Sequence, residues 1–172
     1  MLTKWTRVAA VSAALFASAP AFAAPLAVTT PPQGRALLLI PLTLTKVQDL
    51  HFGTVVPDTA SPVTVTIDPS TGARTASSAA ALFPTDVGQR GVFAGAGTPN
   101  QQVIMALTPP TQLSDGNGNN IPVVTLFLDG PATRTIAANH AFFVGVGGVI
   151  QVPANAPEGL YSANYNLTAD YQ

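Results

Sequence analysis

The chain has 172 residues, a formal net charge of −1, only 9% charged residues and no cysteine. Those numbers exclude a disulfide framework and leave no basic patch for nucleic acid. With 47% hydrophobic residues the chain is also too apolar to stay disordered.

Lys4 and Arg7 precede the small, apolar run VAAVSAALFASAPAFA, and Ala21 and Ala23 stand at the −3 and −1 positions of a cleavage site. This reads as a secretory signal peptide over residues 1–23. The run is too short, and too broken by Ser12, Ser18 and Pro20, for a transmembrane anchor. No later stretch is apolar enough to span a bilayer, so the mature chain is expected to be exported without a transmembrane segment. It keeps Arg35, Lys46, Arg74, Arg90 and Arg134 against eight acidic residues, a net of about −3.

Residues 24–40 form an N-terminal extension of a different character. It holds no acidic residue, is broken by Pro31, Pro32, Gln33 and Gly34, and would reach ~55 Å if extended. That is further than one small domain is wide. The extension either folds back as a first strand or leaves its domain to add to another subunit.

Residues 41–172 read as one all-β domain, a β-sandwich. PLTLTKVQDLHF alternates around Leu42, Leu44 and Val47 and continues to Leu50 and Phe52. In VTVTIDP, Val63, Val65 and Ile67 alternate, and DPSTG at 68–72 has turn chemistry. Further strands are expected at 92–93, 102–107, 123–128, 133–137, 142–152 and 161–171. Pro or Gly punctuates nearly every gap. In the last strand Tyr161, Ala163, Tyr165, Leu167, Ala169 and Tyr171 share one face, so it is built to lie in a sheet although it ends the chain.

Motifs that would carry chemistry are weak. DGNGNN at 115–120 starts like a calcium loop, but Asn120 stands where Gly is needed and Leu126 where a bidentate Glu is needed. A hairpin turn accounts for it. GAG at 95–97 and GVGG at 145–148 are followed by no helix; in strands they mark bulges or close backbone approach. His51 and His140 are not spaced as a metal pair, and no G-x-S-x-G elbow accompanies Ser114 or Ser162. Asp49 and Glu158 are too isolated to propose as a glycosidase pair. No catalytic residue, metal ligand or cofactor is expected, and the chain does not read as an enzyme.

Two stretches carry a resemblance. PLTLTKVQDLHFGTVVP with VTVTIDPSTGART resembles the opening of an exported bacterial family, domain of unknown function 4402. FFVGVGGVIQVPANAPEGLYSANYNLTADY resembles its ending: a Gly-rich strand, a Pro-x-Gly-x-Tyr turn and a final alternating strand. The same ending is similar to spore-coat-U-type and archaic chaperone–usher pilins. That resemblance implies an incomplete immunoglobulin-like, Greek-key sandwich, completed when an N-terminal segment of one subunit fills a groove in the next. It implies a homopolymer, a periplasmic chaperone and an outer-membrane usher in transit, and a fibre at the cell surface. The disulfide of many related domains is missing here. On this expectation the donor candidates are Leu26, Val28, Ala36, Leu38 and Ile40, with 26–30 and 35–40 as alternative segments. The acceptor edge is the row from Tyr161 to Tyr171. A second expectation is a secreted monomer, completed by its own N-terminus, that acts as a coat or binding protein. A secreted hydrolase is a distant third.

Overall fold

The computed structural model describes residue 26 and residues 28–172; the expected signal peptide and Ala24 lie outside them. The chain divides into two units, Met1–Leu37 and Leu38–Gln172. In the first, residues 28–37 form no helix or strand. Leu26, Val28 and Leu37 are 98%, 71% and 79% exposed.

The second unit is a two-sheet antiparallel β-sandwich, as its alternation requires. The larger sheet contains β1 (Thr43–Gln48), β2 (Val63–Ile67), β3 (Arg74–Ala76), β4 (Gly91–Ala96), β6 (Gln112–Ser114), β7 (Asn120–Leu128) and β9 (Ala141–Val152). The smaller sheet has the order β10–β5–β8, with β5 at Gln102–Thr108, β8 at Thr133–Thr135 and β10 at Asn166–Tyr171. No helix among the described residues is long and apolar enough to cross a membrane.

The long strand β9 organises the larger sheet. Gly148, Val149 and Ile150 pair with both β2 and β7, and Val146 pairs with both β4 and β7. A strand has two edges, so β4 and β2 take successive stretches of one and β7 runs along the other. The glycines of β9 answer to this crowding. A Cβ on Gly147 would overlap the Ile67 carbonyl oxygen and lie 2.6 Å from the Pro69 nitrogen. The reading of GVGG as a close backbone approach holds.

Two apolar clusters make the core. One lies between the sheets: Val103, Met105, Ile136, Phe142 and Val144, with Leu42, Leu44 of β1, and Leu167, Ala169 and Tyr171 of β10 packed against it. The other gathers Val63, Val65, Ile121, Ile150 and Val152 under Phe52, Val55, Leu113 and Tyr161. The small sheet covers the first cluster. Irregular chain borders the second.

Turn chemistry follows the sequence. Asp68 Oδ1 accepts from the backbone N–H groups of Ser70 (2.9 Å) and Thr71 (2.7 Å) and from the Thr71 hydroxyl (2.9 Å), while Gly72 takes φ +77°. DGNGN, residues 115–119, is the loop between β6 and β7, with Gly116 and Gly118 at positive φ and Asp115 bonded to Asn117 and Asn119. The Thr71 N–H and then its hydroxyl hold the Asp68 carboxyl below an aspartate's ordinary pKa, against a smaller effect of burial. The Asn119 side-chain amide does the same for Asp115. A lowered folded-state pKa means that the unfolded chain binds more protons in the acid range. This contribution to stability is complete above the ordinary aspartate pKa and is lost as pH falls through the folded values. The melting temperature should stay level down to that range and drop below it, and Asp68→Asn with Asp115→Asn should flatten the acid limb.

Candidate functional site

An open groove of about 730 Å³ is lined by described residues from both ends of the domain. One wall is residues 50–57, the chain that continues from β1. The opposite wall is residues 156–165, the chain that leads into β10. The floor is apolar: Leu113, Ile121, Val123, Leu126, Ile150 and Val152. Buried side chains of the second cluster are thus reached from outside.

Neither wall is a regular strand. The first makes two isolated bridges, His51 to Gln89 and Val55 to Leu82, with the Val56 N–H donating to the Ala81 carbonyl and the Phe83 N–H to the Thr54 carbonyl. The second has one bridge, Ser162 to Ser114. Over the groove, then, the two walls have backbone without a ladder and a floor without a cover.

Side chains brace the first wall further. The Arg74 guanidinium donates to three backbone carbonyls, those of Phe52 (3.1 Å), Thr54 (3.0 Å) and Phe83 (2.7 Å). Gly53, at φ +74°, lets it approach; a Cβ there would overlap Arg74 Nη1 and lie 2.6 Å from the Asp86 carbonyl oxygen. Asp86 adds to the brace. Its Oδ2 accepts from the Thr54 hydroxyl at 2.8 Å, and its Oδ1 lies 3.7 Å from His51 Nδ1. The Thr54 bond is the main cause of a lowered Asp86 pKa; burial opposes it and the charge of His51 assists. Bonds from a charged donor contribute ~1.5–3 kcal/mol each in favourable settings. Arg74→Ala should therefore lose about 2–3 kcal/mol in denaturant unfolding. The amides of residues 52–56 should lose hydrogen-exchange protection before those of β9. Unchanged protection in that wall would show that Arg74 does not hold it.

At its inner end the groove meets a recess of about 280 Å³, bounded by Lys46, Asp49, Phe93 and Asn164, and shares Leu50, Ala163 and Tyr165 with it. The Tyr165 ring packs edge-on against Phe93, centroids 6.1 Å apart. Its hydroxyl is buried and has no hydrogen-bond partner among the described residues. Burial pushes the Tyr165 pKa up and the Asp49 carboxylate adds to that; the Leu50 backbone N–H, near the hydroxyl but outside hydrogen-bond geometry, opposes both. Beyond this point the seam between the first and last strands is tied. The Tyr171 hydroxyl accepts from the Thr98 N–H (2.7 Å) and donates to the Ile40 carbonyl (2.6 Å). The Ile40 N–H donates to the Thr98 hydroxyl oxygen at 2.7 Å. The groove is open at the Pro57 and Pro157 end and stitched at the other.

The expected acceptor row divides at Asn166. Tyr161, Ala163 and Tyr165 line the groove, whereas Leu167, Ala169 and Tyr171 turn into the core between the sheets. β10 pairs with β5 along one edge, from Asn166 against Thr108 to Tyr171 against Val103; its other edge has no partner among the described residues. Of the expected donors, Leu38 is 86% exposed, Ile40 is 49% exposed and Ala36 is exposed. The wall at 50–57 and the role of Arg74 were not expected from the sequence. The Leu50 and Phe52 alternation was the available signal, but it read as more of β1.

His51 sits on the groove wall beside Asp86, and His140 Nδ1 lies 3.3 Å from the Gly97 carbonyl oxygen. No serine hydroxyl bonds either ring among the described residues. These residues also hold no group of three His, Cys, Asp or Glu side chains placed for a metal ion.

Residues 42–171 match the family model described as a domain of unknown function, DUF4402. No curated protein and no solved structure matches the chain.

Proposed function

The chain belongs to the DUF4402 family, and from the groove its domain carries we propose that it is a structural subunit of an extracellular fibre, polymerised by strand donation between copies. On this reading the sandwich is immunoglobulin-like and lacks one strand. The N-terminal extension of a neighbouring copy supplies it. The observation that carries the reading is the apolar groove between the chain that follows β1 and the chain that leads into β10, with unladdered backbone on both walls. An inserted strand would pair that backbone and place alternate side chains on the floor. It would also bring polar backbone to the orphaned Tyr165 hydroxyl, since a buried group without a partner is costly.

Chain direction distinguishes a neighbour's strand from the chain's own. The Tyr171–Ile40 bond fixes the exit of the extension at the stitched end of the seam. An extension folding directly back into its own groove would therefore run parallel to residues 161–171 and antiparallel to residues 50–57. A neighbour's extension arriving through the open end would run antiparallel to residues 161–171 and parallel to residues 50–57. A contact repeated head to tail does not close, so it builds a filament. A fibre subunit needs no catalytic residue or cofactor. It would reach the surface through the periplasm, with a chaperone covering the groove and an outer-membrane usher ordering assembly.

Titrating a domain that lacks residues 24–40 with a peptide of those residues tests this. Saturable binding with NMR shifts confined to 50–57, 157–165 and the floor is the expected result. Absence of binding, or shifts elsewhere, would overturn the reading.

A further inference from the structure

The extension contains two apolar segments, and one groove accommodates one of them. Residues 26–30, LAVTT, put Leu26 and Val28 on one face and smaller or more polar residues on the other, the pattern of a strand with one buried side. Residues 36–39, ALLL, are apolar on both faces. Next to them Ile40 has its N–H and its carbonyl engaged within its own domain, so it is a tether and has nothing left for a neighbour's ladder. Leu37 and Leu38 are nevertheless 79% and 86% exposed.

The open mouth of the groove offers a matching surface. Leu160 is 82% exposed and Val56 49%, and both line the mouth together with Pro57 and Pro110. The charges match as well. Glu158 is the only carboxylate among the groove's lining residues, and Arg35 is the only charged residue between Ala24 and Ile40.

We propose that residues 35–39 of one copy dock on the mouth of the next copy's groove, apart from the inserted strand. Leu37 and Leu38 cover Val56 and Leu160, and Arg35 lies against Glu158. Residues 31–34 turn the chain inward, and residues 26–30 enter the groove as the donor strand. The order follows from connectivity: outward from the tether at Ile40 the chain meets the mouth first and the groove second. The proposal rests on the strand-donation reading, and it adds a second contact that would orient successive domains.

The absence of native cysteine allows a direct test by oxidative cross-linking of fibres assembled from full-length double variants. Leu38→Cys with Leu160→Cys reports the mouth contact, Val28→Cys with Val123→Cys the inserted strand, and Leu38→Cys with Val123→Cys the alternative donor. The expected result is a covalent ladder from the first two pairs and none from the third, on a boiled, non-reducing gel. A ladder from the inserted-strand pair without one from the mouth pair would overturn this inference and leave strand donation standing. A ladder from the third pair would make residues 35–40 the donor, also against the inference. No ladder from any pair would overturn strand donation and the mouth contact with it.

Discussion

Deleting residues 24–40 should leave a domain that no longer polymerises, and restoring the segment at the other end of the chain should return its stability but not its polymers. The deletion removes the side chains available to the groove and leaves its floor of Ile121, Val123, Ile150 and Val152 without an inserted strand over it. Burying Leu26 and Val28 at ~1.5–3 kcal/mol each gives ~3–6 kcal/mol gross, before the cost of ordering the strand. Fusing residues 24–34 after Gln172 through a short Gly/Ser linker lets the segment turn back from the end of β10. It then lies antiparallel to residues 161–171, the direction that the native extension reaches only from another copy. The expected product is a monomer at every concentration, melting well above the deletion variant. Size-exclusion chromatography and thermal unfolding read both effects. Fibres formed by the deletion variant would show that the extension is not the link between subunits.

A single methyl group at Gly147 should be among the most damaging substitutions in the sandwich. Gly147 pairs with Phe127 of β7 and lies where the other edge of β9 passes from β2 to β4, and the chain leaving β2 passes over it. The added Cβ meets the Ile67 carbonyl oxygen and the Pro69 nitrogen, both backbone atoms, which cannot rotate away as a side-chain tip can. Overpacking of that kind costs typically 1–3 kcal/mol, and Gly147→Ala is expected at or above the top of that range, about 3 kcal/mol. Gly116→Ala is the control. It sits at φ +78° in the loop between β6 and β7 with open space around it, so only backbone strain of about 1 kcal/mol is expected. Denaturant unfolding of the two variants gives the comparison. Equal losses would show that the crossing over β9 is not tight.

The strands that could be read from the sequence are those long enough to show a period. Val63, Val65 and Ile67 of β2, and Val103 and Met105 of β5, alternate cleanly and are buried as alternation requires. The three-residue strands β3 and β6 are too short to show a period and were not anticipated. Arg74 lies in one of them, so the side chain that holds a groove wall had no pattern to announce it. Residues 161–165 are the instructive case. Their alternation is real, and Tyr161, Ala163 and Tyr165 do share the groove side, but only the Ser162 bridge to Ser114 ties that stretch. Alternation records which face meets apolar neighbours; a ladder needs a second backbone alongside. Sequence could not supply strand order either, because pairing around β9 is set by which segments the sandwich brings together.

The most direct measurement is a gel of material sheared from the cell surface, run in detergent both unheated and boiled. Strand donation predicts a ladder of multimers in the unheated lane that collapses to monomer only on boiling, because an inserted strand is slow to leave. A single monomer band in both lanes would contradict the account and point to a domain that completes its own sandwich.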